Sequence, residues 1–144
     1  MSDTVVATLT GNVAFEANID GFSVKMDADP MFGGTGFGPR PKPMVLSALA
    51  GCTGIDIVSI LRKKQVPLKA FRVLITGETT ETHPKYYHKI HLVFEVTGEH
   101  FEGNQSVHDK VARAIQLSAD TYCGVSAMLR HAAEITHEIR LING

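Results

Sequence analysis

Two side chains stand out for the chemistry they could do, Cys52 and Cys123, the only cysteines in the chain and 71 positions apart. Thiolate sulfur is nucleophilic, and it can be oxidised to a sulfenic acid or a disulfide and reduced again. The two residues form no C-x-x-C and no clustered zinc spacing, so any pairing between them must be made by the fold. A lasting structural disulfide is disfavoured in a protein without features of secretion, which leaves two readings, inert buried thiols or redox-active ones.

The neighbours of each cysteine bear on that choice. Cys52 lies in the run LSALAGCTGIDIVSILRKK, where the small Ala50 and Gly51 leave room for access. Helical spacing lines up Cys52, Asp56, Ser59 and Lys63 as a polar seam on an otherwise apolar segment. A carboxylate beside a thiol raises its pKa, so a reactive Cys52 needs a cation to outweigh Asp56. Arg40, in the loop just ahead, is the nearest candidate in sequence. Cys123 follows Asp120 by three residues. If Asp120 caps a helix restarting there, Cys123 falls in its first turn, where free N–H groups favour thiolate.

Other patterns carry less. The run GGTGFG is followed by Pro39 and Arg40, not by Gly-Lys-Ser/Thr and a helix, so it is no phosphate cradle. Met31, Phe32 and Phe37 on the same loop suggest an apolar cover over a site. Among seven histidines none forms HExxH, and His88 and His91, three apart on a strand, point to opposite faces. No metal or cofactor is expected.

The 144 residues, 44% hydrophobic, suit a single domain over residues 1–144. A formal charge of −1, with 14 basic against 15 acidic residues, offers nothing to gather nucleic acid or an anionic membrane. The opening MSDTVVATLTGNV lacks the basic and apolar regions of a signal peptide, so the expected location is the cytoplasm. Met44 to Leu61 approaches the length of a membrane span. Its Asp56, two glycines and three hydroxyl residues fit a core helix better.

The elements that must position the thiols follow from periodicity. Alternating residues on either side of Asp20-Gly21 predict a β-hairpin. Residues 29–43, with four glycines and four prolines, form the main loop. Pro43 and the residues up to Gln65 predict a long helix, apolar nearly all round and so buried on most sides, ended by Val66-Pro67. Gly51 and Gly54 inside it imply close backbone packing or ligand approach. Strands are predicted around Phe71–Thr76 and Lys89–Thr97. A capping box at Ser106–Asp109 opens a second long helix, interrupted between Ser118 and Gly124, and a last strand covers Ile135–Ile142. The order ββ, α, ββ, αα, β predicts an α+β fold with antiparallel sheet.

Taken together, Gly38-Pro39-Arg40-Pro41, the segment around Cys52 and the segment LSADTYCGVSAML around Cys123 resemble the two cysteine signatures of the OsmC/Ohr family, over nearly the whole chain. The resemblance implies an OsmC-like fold, an intertwined homodimer with two long central helices and sheets outside. It also implies thiol-dependent reduction of hydroperoxides, organic ones favoured, in oxidative stress defence. Cys52 matches the peroxidatic and Cys123 the resolving cysteine, and an external dithiol or lipoyl-type reductant regenerates the pair. The family's peroxidases carry a glutamate shortly before the first cysteine, where this chain has Lys42 and Pro43, and an arginine on the N-terminal strands. Residues 1–39 hold no arginine, so the resemblance leaves Arg40, approaching from the loop, as the substitute that would hold the thiolate and orient the substrate. The alternative is an OsmC-like module that binds a ligand or senses redox state without efficient peroxide turnover.

Overall fold

The computed structural model describes residues 1–144 and divides into two compact units, Met1–Val45 and Leu46–Gly144. In the first, β1 (Val6–Leu9), β2 (Phe15–Ile19) and β3 (Phe22–Met26) form an antiparallel meander. The hairpin turn falls at Asp20-Gly21 as the sequence predicts. Asp20 and Gly21 both take positive φ, 52° and 84°, as a two-residue turn matched to strand twist requires. Strand β1, fully exposed in this unit, lacks the clean alternation that marks β2 and β3, and sequence reading did not isolate it.

The loop after β3 is built around a carboxylate. Asp27 is buried and accepts the amide hydrogens of Ala28 (2.7 Å), Thr35 (2.9 Å) and Phe37 (3.1 Å). These bonds, led by that from Thr35, hold its carboxyl below the usual carboxylate range. Met31 and Phe32, expected as an apolar cover, are exposed in this unit, while Lys25 sits 5.2 Å from the centre of the Phe37 ring.

The second unit takes all but the first turn and a half of α1 (Pro41–Lys63), followed by β4 (Ala70–Thr79), β5 (Tyr87–Gly98), α2 (Gln105–Leu117), α3 (Gly124–Leu129) and β6 (Glu134–Asn143). Strands β4 and β5 pair antiparallel, but β6 runs parallel to β5, from Lys89↔Glu134 to Gly98↔Asn143. The α+β class holds, and this sheet is mixed because the chain returns through α2 and α3 before its last strand pairs. Parallel neighbours need such a crossover.

One face of this sheet is dry. Ile90, Leu92, Phe94 and Val96 of β5 pack with Leu49, Ile57 and Leu61 of α1 and with Val107, Val111, Ala114 and Ile115 of α2. The other face is wet and carries the ion pairs of Arg72 and Arg140 with Glu95, and of Arg140 with Glu138. Exposed pairs of this kind contribute little to stability, about 0–1 kcal/mol each.

Three local expectations change. Helix α1 is long and apolar enough by composition to span a membrane, yet within this chain it buries one face only, at Leu49, Thr53, Ile57 and Leu61. Leu46 and Ile60 pack against the same core only in part, and Val45 and Ile55 are exposed, Ile55 at 73%. A Cβ at Gly51 meets open space, and one at Gly54 makes only ordinary contact with Phe71 and Val73 at 3.8–3.9 Å, so the predicted close approach is absent inside the single chain. The cap of α2 is Asn104, whose side chain accepts from the Val107 amide, two residues ahead of the expected Ser106. Asparagine satisfies the same orphan donor as serine.

Candidate functional site

The expected helix interruption is present, and it shapes the site. After α2 the backbone widens into a π turn over Ser118–Tyr122, closed by the Cys123 amide donating to the Ser118 carbonyl at 2.8 Å. Inserted turns of this type often mark functional positions in helices. Cys123 then adopts extended geometry, φ −81° and ψ 101°, and is itself the cap of α3. Its sulfur accepts the Ser126 amide hydrogen at 3.3 Å. The sequence placed the cap at Asp120 and Cys123 inside the helix. The π turn absorbs the residues between, and Asp120 caps nothing.

This geometry brings the two sulfurs together. Cys123 Sγ donates to Cys52 Sγ at 3.1 Å, with both thiols free. Cys123 is buried at 3% exposure, whereas Cys52, midway along α1, is partly exposed. Thr53 Oγ1 lies 3.5 Å from Cys123 Sγ, so adjacent residues of α1 contact the same sulfur. Asp56, one turn beyond Cys52, accepts a hydrogen bond from Ser118 Oγ at 2.9 Å. Ser118 is fully buried, and this bond satisfies a hydroxyl that would otherwise be costly to enclose.

Burial first, then the hydrogen bond from Cys123, pushes the Cys52 thiol above its ordinary range, and the negative charge of Asp56 adds to the rise. The Val125 backbone amide opposes it. The seam predicted from helical spacing is present: Asp56, Ser59 and Lys63 line a small cleft with Ile60 and Tyr122. Arg40 is exposed, in the first unit, immediately before α1.

A larger cavity of about 550 Å³ opens beside Cys123. Thr53 and Ser126, which both contact the Cys123 sulfur, form part of its wall, with Leu49, Phe94, Ile115 and His137. His137 stacks edge-on against Phe94, ring centres 6.0 Å apart, and burial holds its pKa below the ordinary imidazole value. Sequence reading missed Thr53, Ser118, Ser126 and His137. Thr53 and Ser118 act across 70 and 62 positions, a relation that no local pattern encodes. His137 was visible as a residue of an alternating strand, and its register opposite Leu92 assigns it to the dry face.

The family model for OsmC-like protein matches residues 33–138, and the chain belongs to that family. Protein YhfA of Escherichia coli K12 is 40% identical over 104 residues, 72% of this chain and 74% of the relative. The fold is that of an OsmC-like protein from Mycoplasma pneumoniae, 20% identical, with 99% of this chain and 98% of the other covered at a TM-score of 0.76. It is also that of an organic hydroperoxide resistance protein from Legionella pneumophila, 17% identical, with 97% of each chain covered at a TM-score of 0.67.

Proposed function

We propose that the protein is a thiol-dependent hydroperoxide reductase acting in redox defence, with organic hydroperoxides as preferred substrates. The observation that carries this reading is the 3.1 Å separation of two free sulfurs, one of them open to solvent. Cys52 is the accessible thiol and the nucleophile. Its thiolate attacks the terminal peroxide oxygen, the O–O bond breaks, an alcohol leaves and Cys52 becomes a sulfenic acid. Cys123 displaces water from that sulfur and forms the disulfide, and an external dithiol or lipoyl-type thiol reduces the bond by exchange.

The raised Cys52 thiol calls for a cation. Arg40 is the proposed source, from the loop before α1 or from a second subunit of an intertwined homodimer. Such a partner also accounts for the apolar face that α1 leaves unburied in one chain, and a single functional domain in the cytoplasm fits the same reading. The test is one equivalent of cumene hydroperoxide followed by peptide mass spectrometry. Wild type is expected to give a Cys52–Cys123 disulfide, and Cys123→Ser a trapped sulfenic acid on Cys52. Peroxide consumption undiminished in Cys52→Ser overturns the assignment, and an Arg40→Ala variant with unchanged Cys52 pKa and rate removes Arg40 from it.

The cavity beside Cys123 favours a second reading, a module that binds an apolar ligand or senses redox state. Its mark is tight capture of an apolar ligand with no peroxide turnover when dithiol is supplied.

A further inference from the structure

The proposed reaction uses both sulfurs and leaves Asp56 without a task. Its carboxylate opposes the thiolate that peroxide attack requires, yet it is held in place by Ser118 and aimed into the thiol pair. Cys52 Sγ, Cys123 Sγ and a carboxylate oxygen of Asp56 all lie within 4.8 Å of one another. We propose that the reduced protein binds one thiophilic divalent cation of the Zn²⁺ class on Cys52, Cys123 and Asp56.

The donor set fits that cation by type and by number. Two thiolates and one carboxylate give an S₂O set, and a fourth tetrahedral position remains for water or an exogenous ligand. Sulfurs bound to zinc at about 2.3 Å stand about 3.8 Å apart in a tetrahedron. Opening the present 3.1 Å contact to that spacing takes a small side-chain rotation of the partly exposed Cys52, while Cys123 stays fixed in its cap. The surroundings resemble the outer shell of a metal site, where hydrogen bonds orient the ligands. Ser118 Oγ donates to Asp56 Oδ2 at 2.9 Å, and the Ser126 amide donates to the Cys123 sulfur at 3.3 Å. Two of the three ligands reach the surface, since Asp56 lines a cleft with Lys63 and Tyr122 and Cys52 is partly exposed.

Binding replaces two thiol protons: M²⁺ and two cysteine thiols give the bis-thiolate complex and two H⁺. A sulfur pair joined as a disulfide cannot bind the ion in this way, so metal and disulfide exclude one another. A hydroperoxide that oxidises the loaded site takes up two protons and yields the disulfide, one alcohol, one water and the free cation. The proposal needs the reduced pair only and stands apart from peroxide turnover.

The test is competition of the reduced full-length protein with a chromophoric zinc chelator, with Co²⁺ as a spectroscopic substitute. One ion per chain is expected, with thiolate-to-cobalt charge-transfer absorption. Asp56→Asn should bind at least tenfold more weakly, a control Ser47→Ala, exposed earlier on the same helix, should bind as wild type, and wild type oxidised to the disulfide should bind none. Circular dichroism of each variant checks the fold, and the oxidised wild type needs no substitution at all. No binding by reduced wild type, or equal binding by Asp56→Asn or by the oxidised protein, overturns the proposal. Disulfide formation without metal binding refutes the metal site alone, and metal binding without peroxide-driven disulfide formation refutes the reductase reading alone.

Discussion

Cys52 and Cys123 touch, yet their surroundings share little. Cys52 stands midway along a regular helix, partly open to solvent, one turn from a carboxylate. Cys123 sits where helical geometry is interrupted, enclosed, with its sulfur contacted by a hydroxyl, an amide and the other thiol. The difference separates two demands on a thiol pair. Accessibility is supplied by a smooth helix with small neighbours, whereas fixed placement is supplied by a break whose backbone bonds leave the second sulfur little freedom.

The largest test of this contrast joins the two sulfurs. A Cys52–Cys123 disulfide closes a loop of about 70 residues and should stabilise the oxidised protein by about 4 kcal/mol on chain-entropy grounds, read as a rise in denaturant midpoint. No gain would mean that pairing strains one of the two environments. Next is native-state alkylation of the reduced protein, with Cys123 expected to react on the order of a hundredfold more slowly than Cys52, because it reacts only through local opening. Similar rates would erase the distinction.

Asp56→Asn should then act on one thiol alone. Removing the charge lowers the Cys52 pKa, so its alkylation at pH 8 rises severalfold while that of Cys123 does not. The sign of the accompanying stability effect is fixed by the raised pKa of Cys52 in the fold. Its contribution is complete below the unfolded thiol pKa and is lost as pH climbs through the higher folded value. Reduced wild type should therefore weaken above about pH 8.5, and Asp56→Asn should show less of that loss. The smallest effect is that of Thr53→Val, which removes the hydroxyl beside Cys123 and should cost about 1 kcal/mol, measured by urea unfolding, with Cys52 alkylation unchanged.

How much of this was legible beforehand follows from the range of each interaction. The Asp20-Gly21 hairpin, α1, the β4 and β5 strands and the interruption near Ser118 are local patterns of turn chemistry and periodicity, and the sequence predicts them. The polar seam of Asp56, Ser59 and Lys63 is likewise local to one helix. The parallel pairing of β6 was not legible, since alternation gives a strand its faces and not its neighbour. The cap at Cys123 was also misplaced, because an inserted π turn shifts the register without changing the apolar pattern on either side. Ser118 and Thr53 carry no signal as single residues, and their roles exist only after two distant helices meet.

The parallel pairing of β5 with β6 has a consequence for the order of folding. A hairpin such as β4–β5 closes through a short loop and forms early, but β6 joins β5 only across the whole α2–α3 crossover, a contact of long sequence separation that forms late. The segment bearing Cys123 lies inside that crossover, so its final anchoring waits for the last strand. A chain still being synthesised thus carries an exposed Cys52 and an unplaced Cys123, and the pair acquires its fixed geometry only when folding is nearly finished.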